Sequence, residues 1–162
     1  IVIELGDPFC INSDYLYEDN IRILEAIPDN VTTTRLDSFL NRSSDKNNNP
    51  KVIVGRLKKE YQYTIDDAIN FLKSKIGVQY DNYFIIDNKQ YYCSELIFEA
   101  FEQNKIFDLK PMTFIDPKTN TTMKVWRDYY KGLETDIPEG ELGINPGIMS
   151  LSNKIDIVWS LL

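Results

Sequence analysis

The stretch YYCSELIFEAF, residues 91–101, places Cys93 where a polar turn gives way to an amphipathic helix. A thiol there could act as a nucleophile. Unpaired N–H groups and the helix dipole favour its thiolate, and the same amides could hold an oxyanion. Such a thiol ordinarily needs a histidine, and the 162 residues contain none. The position fits equally well a cysteine packed into the core, since free Cys is among the most buried residue types. Cys10, beside Phe9 in a loop with no helix after it, reads as a bystander. A disulfide between the two is open, but two cysteines in a chain of this length make no disulfide framework.

Two other residues could belong to such a site. In IRILEAI (21–27), Ile21, Ile23 and Glu25 alternate onto one face. If that face is buried, Glu25 is an acid among apolar neighbours and needs a partner; if the strand ends there, it is simply exposed. Tyr80 of GVQYDNYF (77–84) could present a hydroxyl near the thiol or serve only as packing.

Other chemistries find little support. With no histidine and two thiols, a zinc site is not expected, and no D-x-[DN]-x-[DN]-G calcium loop occurs. No cofactor is indicated. The net charge of −7 argues against a nucleic-acid partner, which would need clustered Lys and Arg. No apolar run approaches the roughly 18 residues of a membrane span.

These residues must be positioned by a mixed set of elements. The 43% hydrophobic content and the length suit one globular domain over 1–162. IVIEL (1–5), 21–27, KVIVGRL (51–57) and KIDIVWSLL (154–162) read as strands, with a short helical or irregular piece around Leu36–Leu40. TIDDAINFLKSKIG (64–77) reads as a helix, with Thr64 and Asp67 as an approximate capping box, an apolar stripe of Ile65, Ala68, Ile69, Leu72 and Ile76, and Gly77 as its stop. A second helix is expected over 93–104. The proline-rich stretch 111–147 reads as loop. The class is α+β.

LEAIPDNVTTTRLDSFL, TIDDAINFLKSKIGVQYDNYF, YYCSELIFEAF and INPGIMSLSNKIDIVW occur in an order that resembles the YiiX-like cysteine peptidases. These are permuted relatives of the NlpC-type papain-like hydrolases. The resemblance covers most of the chain, and G-x-x-YD-x-x-F followed by YCSEL is its most specific part. It implies a permuted papain-like fold, a small antiparallel sheet or barrel packed against helices. By matching motifs, Cys93 looks like the nucleophile and Glu25 like the residue that orients the imidazole, while Tyr80 and Tyr92 would line the substrate site.

In that permuted order the histidine precedes the acid and the cysteine, in a strand that IVIEL follows. The histidine is therefore expected a few positions before Ile1, and Gly6-Asp7 only mimics the family's upstream Gly-Asp. The implied activity is acyl transfer from a peptide, another amide or a lipid ester, as a peptidase or amidase. The alternative is a non-catalytic binding module on the same fold. Oligomeric state is left open, and a cell-envelope location depends on an upstream signal.

Overall fold

The computed structural model describes residues 3–4 and 22–161, with the side chains of 3, 4 and 161 left aside. The readings of Cys10 and of Gly6-Asp7 lie outside the described residues.

Strands β1 (Ile3–Glu4), β2 (Arg22–Ala26) and β3 (Val31–Arg35) form an antiparallel sheet in that order. β2 and β3 turn through PDN, closed by Ile27 N–H on the Asn30 carbonyl at 3.2 Å, with Ala26 opposite Val31. β3 was not expected as a strand, although its run of Val and Thr suits one. Both faces of β2 are covered. Leu24 and Ala26 join the main core, while Ile23 and Glu25 are buried on the other side.

The helix α1 (Leu36–Arg42) follows directly. Strand β4 (Val52–Leu57) pairs with the last strand, β9 (Ile155–Leu161), as a separate antiparallel ribbon. Three short pairs of strands thus accompany the sheet, the others being β5 (Lys110–Pro111) with β8 (Leu142–Gly143) and β6 (Ile115–Asp116) with β7 (Thr121–Thr122). Among the described residues the strands make open sheets rather than a barrel.

Helix α2 (Ile65–Ser74) is preceded by a 3-10 turn over 59–64, and this changes its start. Thr64 is already helical (φ −83°, ψ −10°), and its hydroxyl donates to the Tyr61 carbonyl at 2.7 Å. The expected capping box with Asp67 is therefore not formed, because Thr64 is helical rather than in the extended conformation that an N-cap takes. Gly77 takes the left-handed conformation (φ 88°) as expected of a stop, and Ile76, beyond the helix, is exposed. Helix α3 (Cys93–Ala100) is shorter than 93–104 because a 3-10 turn takes over at 102–104. Ala68 and Leu72 of α2, Leu96 and Ile97 of α3, and Leu24 and Val31 of the sheet form one core.

The stretch 111–147 is not all loop. It contains α4 (Lys124–Gly132) and is followed by α5 (Pro146–Ser150). The aromatic residues of α4 have only middling helix propensity and hide its period. Contacts supply what propensity lacks. Tyr129 and Tyr130 donate hydroxyl hydrogen bonds to the Asn82 and Tyr83 carbonyls, at 2.9 and 3.2 Å. Asn145 caps α5 by accepting the Ile148 N–H, with Pro146 at the first helical position.

The start of α3 is fastened to the segment before α5. The Ile144 N–H donates to the Tyr92 phenol at 3.1 Å, and the Ser94 hydroxyl donates to the Ile144 carbonyl at 3.0 Å. Tyr92 and Ser94 are both buried, so these bonds satisfy groups that water cannot reach. Tyr92→Phe should orphan the Ile144 N–H and Ser94→Ala its carbonyl, each lowering stability by about 1–3 kcal/mol. Urea unfolding would read this. Ser150→Ala, which removes an exposed hydroxyl contact with Gly147, should cost about 0.5 kcal/mol or less. Equal losses for all three would refute the clamp.

Candidate active site

Cys93 is the first residue of α3, and Tyr92, its N-cap, is extended (φ −86°, ψ 168°). The chain turns into the helix at the thiol. Cys93 is a free, partly exposed thiol, whereas Tyr91, Tyr92, Ser94, Glu95 and Leu96 around it are buried. Its neighbours on both sides are held inward by Ile144, so the cysteine is the residue left facing out. The amides of a first helical turn have no partners within the helix. This is the combination of donor groups and positive potential that stabilises a thiolate or an oxyanion.

Tyr80 reaches this end of α3 through backbone pairing. α2 ends against β3, with Gly77 N–H on the Val31 carbonyl and Val31 N–H on the Val78 carbonyl, both at 2.8 Å. The chain then runs beside Tyr91, with Tyr91 N–H on the Gln79 carbonyl and Asp81 N–H on the Tyr91 carbonyl, both at 3.2 Å. This brings the Tyr80 phenol near the Cys93 backbone amide, whose N–H favours the ionised phenol. Burial, with the negative charge the thiol can carry, outweighs that influence and pushes the Tyr80 hydroxyl up to about 12. It stays protonated at neutral pH, able to donate as well as accept.

Tyr92 is tied into the interior beside the thiol. It is buried, its hydroxyl is taken by Ile144, and burial raises its ionisation well above the ordinary value. Its ring packs edge-on to Phe84 at 5.3 Å. Phe84 in turn touches Trp126 and Tyr129 of α4, each at 6.0 Å. Phe84 occupies the left-handed region (φ 58°), costly for a residue with a β-carbon. Asp81 holds that turn, accepting the N–H groups of Tyr83 at 2.8 Å and Ile85 at 2.7 Å.

Glu25 is buried, as an acid on an apolar face requires a partner, and that partner is Arg42. One guanidinium nitrogen lies 2.8 and 2.7 Å from the two carboxylate oxygens. Glu25 sits between Leu24 and Ala26, which face the core shared with α3. Strand alternation therefore turns Glu25 to the other side of β2, toward α1. Tyr80 and Cys93 are brought together, and Glu25 is paired with Arg42 on the other face of β2.

Ser94, Asp81, Ile144 and Glu95 were not singled out from the sequence. Glu95 is fully enclosed; its Oε2 accepts the Tyr92 N–H at 3.1 Å and its Oε1 has no partner. The only advance signal was its place three residues after the N-cap, where Glu often reaches back to the cap amide.

The sequence matches, over residues 3–158, the family described as permuted papain-like amidase enzyme, YaeF/YiiX, C92 family. Among solved structures, the crystal structure of metalloprotein yiiX from Escherichia coli O157:H7 superposes with a TM-score of 0.70. The match covers 87% of this chain and 76% of that one at 16% identity, a likeness of fold. No curated protein matches. Although that relative is described as a metalloprotein, no three His, Cys, Asp or Glu side chains gather as ion ligands among the described residues here. The chain belongs to the permuted papain-like amidase family.

Proposed function

We propose that this chain supplies the nucleophile of a cysteine amidase or peptidase, with Cys93 as the attacking group. What carries the reading is the partly exposed Cys93 at the first position of α3, with the Tyr80 phenol near its amide. A histidine upstream of residue 1 takes the thiol proton as sulfur bonds to an amide carbonyl carbon. The amides at the start of α3 and the Tyr80 hydroxyl hold the oxyanion. The C–N bond then breaks, the leaving amine takes the proton back from the imidazolium, and a thioester remains on Cys93. Water, losing a proton to the imidazole, releases the acid and restores the thiol. The substrate is an amide, with a cell-wall peptide as one candidate and a lipid ester as the competing class.

Glu25 is assigned the task of orienting that imidazole. One observation bears on the assignment: β1 lies beside β2, Ile3 opposite Leu24 and Glu4 opposite Ile23, and Glu25 is the next residue of β2. The grip of Arg42 favours a plainer role, a buried ion pair that joins β2 to α1.

The binding-module alternative draws on one observation, the absence of histidine from these 162 residues. A glutamate with an ordinary pKa of about 4.3 is a poor base for a thiol of about 8.5. Residues 1–162 alone are therefore expected to be inactive.

Two outcomes test this reading. In a chain extended upstream, Cys93→Ser should lower amide hydrolysis on the order of 10³-fold or more, with unfolding unchanged. Loss of less than tenfold would favour the binding module. Glu25→Gln should lower kcat on the order of 10²-fold with little change in KM if it orients the imidazole. If it is only the partner of Arg42, then Glu25→Gln and Arg42→Gln should lose stability together, and activity should follow the folded fraction.

A further inference from the structure

Glu95 is the buried ionisable group that the proposed chemistry does not use. It sits two residues into α3 from Cys93 and is fully enclosed, with one oxygen on the Tyr92 N–H and the other without a partner. The charged groups facing it are acidic: Asp81 and Asp87 from the turn segment, and Glu99 one turn along its own helix. Asp81 is itself fully enclosed. From α2, Lys75 is directed to Glu99 and to the Tyr91 ring. The segment before α5 meets this end of α3 through the Ile144 backbone. A carboxylate so placed has one hydrogen bond and three acidic neighbours, whereas a neutral carboxyl avoids most of the cost.

We propose that Glu95 is a proton-carrying acid that keeps the start of α3 free of competing negative charge, leaving the Cys93 thiolate as the anion that the helix start stabilises. The inference rests on reading Cys93 as the nucleophile. A Glu at this position usually serves its helix as an anion. Here that anion would share one helix start with the thiolate, and each would oppose the other's ionisation. Burial, followed by repulsion from Asp81, pushes Glu95 up to about 8, into the range where a free thiol titrates at about 8.5. Because the folded pKa lies above the unfolded one, the fold binds an extra proton between about 4.5 and about 8 and loses stability as pH rises through that window.

The test follows iodoacetamide alkylation of Cys93 against pH in the wild type and in Glu95→Gln, whose amide oxygen can still accept the Tyr92 N–H. The two should react equally at pH 6.5, with the variant about twofold or more faster at pH 8.5, because its thiolate no longer faces a carboxylate. The exposed control Glu102→Gln should follow the wild type. Superimposable profiles for Glu95→Gln and wild type would overturn the proposal. Should the variant not fold, carbon-13 NMR of glutamate carboxyls in the wild type decides. One carboxyl should titrate near pH 8 and move lower once Cys93 is capped with methyl methanethiosulfonate; ordinary titration of every glutamate near pH 4–5 would overturn it. These readouts need no turnover. A chain that shows the coupling but hydrolyses no amide refutes the enzyme reading alone. One that hydrolyses amides without the coupling refutes this inference alone.

Discussion

Everything around Cys93 depends on how α3 begins. A helix start brings its own unpaired donors, and here those donors must stay available while the residues beside the thiol are fixed. The clamp on Ile144 meets both demands, because Tyr92 and Ser94 reach the same peptide segment from either side of Cys93. It satisfies a buried N–H and a buried carbonyl with two side chains, and it leaves the thiol between them partly exposed. Tyr80 is then brought to the Cys93 amide by pairing along the segment that leaves α2. The aromatic contacts from Phe84 to α4 close the remaining side.

The same geometry explains where charge is allowed. Asp81 is enclosed but accepts two backbone N–H groups, which compensate its burial. Glu95 is enclosed and half-satisfied, so burial drives it toward the neutral acid. Glu25 is buried and paired with a half-exposed arginine on the face of β2 turned from the core. Three buried carboxyls thus have three different solutions, and one of them lies at the helix that carries the thiol.

What could be read in the sequence followed from local patterns. The break before CSELIFEAF placed Cys93 at a helix start, and the apolar stripe of 64–77 placed α2. The run G-x-x-YD-x-x-F pointed to Tyr80 through its likeness to the YiiX-like family. Most of the misses depend on partners far along the chain. Ile144 lies fifty residues beyond Ser94, and α4 is set by hydroxyls that bond carbonyls forty-seven residues earlier. The Thr64 cap is absent because a preceding 3-10 turn, invisible to a capping motif, already holds that residue in the helical conformation.

The central claim of the proposed function is that Cys93 becomes acylated during amide turnover. Intact-mass analysis with peptide mapping, on an upstream-extended chain quenched in acid during turnover of an activated amide, tests it directly. The account predicts an acyl adduct on Cys93 that hydroxylamine removes, as a thioester requires. Hydrolysis proceeding with no adduct on Cys93, or with an adduct on another residue, would contradict it.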